Sequence, residues 1–145
     1  MDRLRQSCRR LGGGLPAQLA AKRANFFRDR TEGPVYGFNR PGVTAIEGVI
    51  ANWWRQCMMG GAKAHYDGVV AVSQTDFTEE LKKITVPVLV MHSEDDQIVP
   101  YADAGPLSAK LLKNGTLKTY KDYPHGMITT HADVINADLL AFLKG

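Results

Sequence analysis

Cysteine is scarce in this chain, and its apolar stretches are short. Cys8 and Cys57 are the only cysteines in 145 residues, and their spacing fits neither a disulfide framework nor a zinc site. No apolar run is long enough to span a bilayer, and residues 1–15 lack the apolar stretch of a secretory signal. These absences argue against export and membrane insertion, and we expect a reduced, cytoplasmic setting.

The overall composition is that of one modest globular domain. Hydrophobic residues make up 44% and charged residues 23%, close to the averages for folded proteins. The net charge is +3, yet residues 1–30 hold eight Lys or Arg and only two Asp. We interpret residues 1–14 as a basic, flexible N-terminus. No recognition motif accompanies this charge, so we expect no nucleic-acid partner.

A strand, an acidic turn, a helix and a second strand follow one another between residues 86 and 126. Residues 86–92 are nearly all apolar, which predicts a buried parallel strand. Residues 101–112 predict a helix and residues 116–120 a second strand. Asp96 and His125 each follow a strand, and the carboxyl ends of parallel strands share one edge of a sheet. The two side chains are therefore expected to lie together as an acid and a general base.

The pattern H-x-x-x-D-x-I-V-P at residues 92–100, followed by Pro124-His125-Gly126, resembles the end of an α/β hydrolase. More narrowly, the chain is similar to the cofactor-free haloperoxidases and aryl esterases of that superfamily. The resemblance covers residues 13–145. Other stretches that carry it are GPVYGFN at 33–39, WWRQ at 53–56, TDFT at 75–78 and DLLAF at 138–142.

The resemblance implies a Ser-His-Asp triad in which Asp96 and His125 are the acid and the base. It also implies a small ester or acyl substrate, with esterase or perhydrolase chemistry. Halogenation in that family follows from peracid formation, so no cofactor and no metal are expected.

The nucleophile of such a triad sits in a G-x-S-x-G turn, and the sequence has no such frame around any of its four serines (Ser7, Ser73, Ser93, Ser108). We therefore interpret the chain as the C-terminal portion of a serine hydrolase. Two alternatives stay open. In the first, the chain is a non-catalytic remnant that folds by oligomerising. In the second, it is a weak hydrolase that activates water with the Asp96–His125 dyad alone.

Three competing site assignments are weaker. Asp95 competes with Asp96 as the acid, although the family frame selects Asp96. Ser93 could be a displaced nucleophile but lacks an anion-binding turn. A metal cluster of His92, the two aspartates, His125 and His131 lacks any H-x-x-x-H or C-x-x-C frame.

Several bulky apolar residues form a candidate substrate pocket, although for most of them we favour packing between the helical cap and the sheet. The pocket would hold an apolar acyl or aryl group. Its candidate residues are Met127, Trp53, Phe38 and Ile98.

The rest of the sequence reads as helices. We expect a helical cap over residues 15–84 and a C-terminal βαβα part over residues 85–145, giving a partial α/β-hydrolase fold with two parallel strands. Predicted cap helices span residues 15–28, 43–59, 62–73 and 78–83, the last capped by Thr78. A capping box from Thr130 to Asp133 predicts the start of a final helix.

Because a two-stranded sheet leaves an open edge, we expect a homo-oligomer or a partner that supplies a missing N-terminal half.

Overall fold

A computed structural model describes residues 14–145. The predicted flexible segment, apart from Gly14, lies outside the described residues, and so do Cys8 and Ser7. Within the described residues, five helices precede a strand–helix–strand unit, and two helices follow it. The elements are α1 (Leu15–Ala21), α2 (Arg23–Glu32), α3 (Glu47–Met59), α4 (Ala62–Gln74), α5 (Thr78–Lys83), β1 (Val88–Ser93), a short 3-10 helix (Tyr101–Asp103), α6 (Gly105–Leu111), β2 (Gly115–Tyr120), α7 (Met127–Thr130) and α8 (Ala132–Lys144).

The two strands pair in parallel, which confirms the predicted fold class. The register runs from Val88 opposite Gly115 to Ser93 opposite Tyr120. β1 begins two residues later than predicted, because Pro87 has no N–H to donate to a ladder and Val86 is largely exposed. The parallel pairing brings the ends of both strands, and the loops that follow them, to the same edge of the sheet.

Two of the predicted helices are broken. The helix predicted over residues 101–112 is a 3-10 turn followed by α6, because Ala104 leaves helical geometry (φ −136°, ψ −86°) and Pro106 fits only a first turn. The helix predicted over residues 15–28 divides at Lys22 (φ −147°, ψ 67°) and resumes through Glu32. In addition, α3 begins at Glu47 rather than residue 43, because Ile46 is extended.

Both predicted caps are wrong. Phe77 is the residue before α5, and Asp76 accepts hydrogen bonds from the backbone N–H and the hydroxyl of Thr78. The capping box at Thr130 does not form, because the chain is already helical from Met127 to Thr130 and α8 starts after His131. Thr130 instead contacts the ring Nδ1 of its neighbour His131 at 2.9 Å.

Buried apolar side chains are found both on the N-terminal helices and in the C-terminal part. Phe27 on α2 and Ile50 on α3 are buried between the N-terminal helices, and Phe27 meets the Trp53 ring edge-on. Tyr120, Met127 and Ile135 form the core between β2, α7 and α8. Within residues 14–145, no helix is long and apolar enough to cross a membrane. The division into a cap and a C-terminal part stays a prediction.

Candidate active site

Asp96 lies in the turn that follows β1 and is almost completely buried. One carboxylate oxygen, Oδ1, accepts the backbone N–H groups of Ile98 and Val99, each at 2.8 Å. The other, Oδ2, lies 2.8 Å from Nδ1 of His125. Burial alone would raise the pKa of the Asp96 carboxyl, but these hydrogen bonds outweigh burial and lower the pKa below its usual range. The carboxylate is therefore held ionised and in one orientation.

His125 lies in the loop after β2, so the predicted contact with Asp96 is present. The loop is anchored by Gly126, whose N–H donates to the Val35 carbonyl at 2.7 Å. A Cβ on Gly126 would come within 2.5 Å of the Tyr36 ring, so a side chain has no room there. The His125 side chain is 41% exposed, whereas that of Asp96 is 5% exposed. With Nδ1 engaged by Asp96, Nε2 is the nitrogen that can exchange a proton with a bound molecule.

A second imidazole, that of His92 on β1, contacts the same carboxylate. Its Nδ1 accepts the Gly105 N–H at 3.1 Å, so its proton resides on Nε2. Nε2 lies 3.0 Å from the Val99 carbonyl and 3.2 Å from Asp96 Oδ2. The sequence placed His92 only in the motif and in a rejected metal cluster, and its spacing of four residues from Asp96 was the available signal for this contact.

Arg40 joins the two loops that carry Asp96 and His125. Its guanidinium donates to the carbonyls of Asp122 (2.6 Å), Asp95 (2.7 Å) and Tyr123 (3.2 Å). Asp95 also accepts the Asp122 backbone N–H. Asp95 thus links the two loops rather than contacting His125. The carboxylate that contacts His125 is instead that of Asp96.

The other side chains considered as site residues lie elsewhere or already have hydrogen-bond or stacking partners. The Ser93 hydroxyl is buried, donates to the Tyr120 carbonyl and accepts the Asp95 N–H. The His131 ring stacks on Tyr123 with centroids 3.7 Å apart. Across residues 14–145, His, Cys, Asp and Glu side chains form no group of three that could hold a metal ion.

An open, mainly apolar cavity of about 420 Å³ lies beside His125. The structure brings Trp53 and Ile98 to it, as the pocket prediction expected, but not Met127 or Phe38. Met127 is buried with Tyr120 in the C-terminal core. Phe38 packs against the Tyr36 ring. The cavity is lined by Phe26, Arg30, Val35, Tyr36, Trp53, Ile98, His125, Gly126, Ile128 and Thr129.

Comparison with known proteins gives consistent matches over nearly the whole chain. A family model described as the prolyl oligopeptidase family matches residues 13–145. The chain is 65% identical over 131 residues to a non-heme chloroperoxidase of Burkholderia pyrrocinia, a match that covers 90% of this chain and 47% of that protein. It is 62% identical over 130 residues to a bifunctional esterase/perhydrolase of Acinetobacter calcoaceticus, again covering 90% of this chain and 47% of that protein.

A solved structure gives the same picture. The crystal structure of a bromoperoxidase from Bacillus anthracis superposes with a TM-score of 0.84 at 28% identity, covering 92% of this chain and 48% of that one. The chain therefore spans about half the length of the curated relatives it matches.

Proposed function

Because the chain belongs to the prolyl oligopeptidase family of α/β hydrolases, we propose that it supplies the acid and the base of a serine-dependent acyl transfer. The observation that carries this proposal is the 2.8 Å contact between His125 Nδ1 and Asp96 Oδ2 beside an apolar cavity. Asp96 is the acid, and His125 is the base. The similarity to non-heme chloroperoxidases and to an esterase/perhydrolase supports ester hydrolysis and peracid formation as the reaction class.

In the proposed mechanism, His125 Nε2 takes the proton of a serine hydroxyl as the serine oxygen attacks the ester carbonyl. The resulting imidazolium is stabilised by Asp96, which stays ionised. His125 then gives the proton to the departing alcohol. Water or hydrogen peroxide next attacks the acyl-enzyme and loses a proton to His125, which returns that proton to the serine oxygen as the acid or peracid is released.

The serine is proposed to come from a further segment or another chain, because none of the four serines in these 145 residues has a G-x-S-x-G frame. Within residues 14–145, Ser93 is committed to the Tyr120 carbonyl, and Ser73 donates to the Val70 carbonyl. No serine in that range lines the cavity beside His125. A missing N-terminal half or a second chain would therefore have to bring the nucleophile to His125 Nε2.

Hydrolysis of p-nitrophenyl acetate by the chain alone tests this proposal against the dyad alternative. We expect the chain and its His125→Ala variant to hydrolyse the ester at equal rates, because a base without a nucleophile or an oxyanion site gives little acceleration. A rate for the chain at least about tenfold above that of the variant, at equal protein concentration, would favour water activation by the dyad instead.

We also propose that the chain associates, either with itself or with a segment that completes the sheet. Among the strands of residues 14–145, each has a neighbour on one side only, and open edges with apolar neighbours recruit further strands. Val86 is 63% exposed beside β1, and Leu140 and Leu143 on α8 are 53% and 69% exposed. If two copies pair about a two-fold axis perpendicular to the sheet, their edge strands must run antiparallel.

Sedimentation equilibrium at micromolar concentration tests the association. We expect a mass that is a multiple of 16.0 kDa and that falls on dilution. A soluble monomer with a single cooperative melt would contradict the expectation.

The cytoplasmic setting is likewise a proposal, and cell fractionation tests it.

A further inference from the structure

Arg30 is the one permanent cation among the described residues that line the cavity beside His125. Leaving His125 aside, the other lining side chains are apolar or uncharged, and none of them carries a carboxylate. Pockets of this kind use a small number of placed polar groups to orient a ligand. A guanidinium in such a wall is suited to recognise a planar anion, because its N–H groups match both carboxylate oxygens.

Arg30 has no anionic partner within residues 14–145. Its guanidinium lies over the Phe26 ring, 5.3 Å from the centroid, and its side chain reaches a neutral oxygen of Gln18 at 3.5 Å. Arg28 on the same helix differs, because it forms ion pairs with both Glu32 and Glu47. In the described part of the chain, the half-buried charge of Arg30 thus has no ion-pair partner, whereas that of Arg28 is neutralised.

We propose that Arg30 binds a carboxylate carried by the substrate, so that the site accepts esters whose apolar acyl group ends in a free carboxylate. Half-esters of dicarboxylic acids have this chemistry. The ester carbonyl would lie at His125, the apolar part against Trp53, and the free carboxylate at Arg30. Hydrolysis breaks the ester C–O bond, adds water and releases an alcohol, a dicarboxylate and one proton. This inference rests on the proposed function for the reaction, although not for the anion site.

Two ligands of nearly equal shape test the anion site on the chain as it exists. Phenylacetate carries the charge, and 2-phenylacetamide replaces it with a neutral amide. Titration is followed by the Trp53 indole N–H signal in ¹H–¹⁵N NMR spectra. The indole of Trp54, which donates to the Ala24 carbonyl and does not line the cavity, is the internal reference. We expect phenylacetate to bind about tenfold more tightly, as a charge-assisted pair predicts.

Three variants test which residue gives the preference for phenylacetate over 2-phenylacetamide. Arg30→Met should bind the two ligands equally. Arg55→Met, which removes the same charge from an exposed position on α3, should keep the preference, and so should His125→Ala. Thermal unfolding of each variant checks that the fold is retained. Equal binding by the unmodified chain, binding of neither ligand, a preference that survives in Arg30→Met, or its loss in His125→Ala would each overturn the proposal.

The test of the anion site can succeed or fail independently of the test of the proposed reaction. If phenylacetate binding depends on Arg30 but no serine-bearing partner yields hydrolysis, the anion site stands and the proposed function fails. If hydrolysis is obtained and binding shows no charge preference, the proposed function stands and the role of Arg30 fails.

Discussion

His125→Ala should lower kcat/KM for p-nitrophenyl acetate by at least about 10³-fold in a protein that carries the complete triad. Such a protein can be made by joining residues 14–145 to the N-terminal portion of the Burkholderia pyrrocinia relative, with which this chain shares 65% identity over the matched region. The loss is large because the serine then has no acceptor for its proton. Binding in the apolar cavity does not depend on the imidazole, so the loss should appear in kcat rather than KM.

His131→Ala is the matched control for this experiment. His131 lies six residues further along the chain and stacks on Tyr123 rather than contacting Asp96. We expect its replacement to change kcat/KM by less than about threefold, as for a residue outside the site. Comparable losses in the two variants would indicate damage to the fold and would contradict the role of His125 as the base.

Asp96→Asn should lower kcat in the same joined protein by about 10⁴-fold, the size of effect seen when a triad loses its acid. Oδ2 of Asp96 faces Nδ1 of His125 and lies 3.2 Å from Nε2 of His92. An amide has only one oxygen, so it can accept either the Ile98 and Val99 backbone N–H groups or the ring N–H groups, and its NH₂ group meets donors at the other position. If its NH₂ group turns toward His125, the ring must accept a hydrogen bond at Nδ1 and carry its proton on Nε2. The base would then be unable to take the serine proton.

The deficit of Asp96→Asn should persist from about pH 8 down to about pH 5. The pKa of the Asp96 carboxyl lies below its usual range of about 4, so the unmodified group stays ionised throughout that interval. Asp133→Asn, at an exposed position in the first turn of α8, is the control and should cost little. A deficit for Asp96→Asn that disappears at pH 5 would mean that the native carboxyl has become protonated there.

The sheet and the Asp96–His125 contact could be predicted because each rests on a simple pattern. An apolar run of strand length, a helical segment and a second strand predict a parallel pair, and parallel strands place their following loops at one edge. The resemblance to cofactor-free haloperoxidases is likewise confirmed by the curated relatives. These features depend on residues close in sequence or on a motif with fixed spacing.

Pro106 was a local signal for the break near residue 104, but the break at Lys22 and the supporting contacts could not be predicted from local patterns. Arg40 contacts the Asp122 carbonyl across 82 positions of sequence, and no periodicity indicates such a pair. Met127 was expected in the pocket because it follows His125 closely, yet the turn of α7 directs it into the core with Ile135. Lys22 interrupts a continuous helical pattern at φ −147° and ψ 67°, although no residue type in the sequence marks a break there.

Labelling with a fluorophosphonate tests the central claim most directly, because the reagent reacts only with an activated serine. The account predicts no labelling of the chain alone. It predicts labelling of one serine, in the N-terminal portion, when residues 14–145 are joined to that portion, and loss of the label in the joined His125→Ala variant. Stoichiometric labelling of the chain alone at Ser7, Ser73, Ser93 or Ser108 would contradict the account, since the nucleophile would then lie within the chain itself.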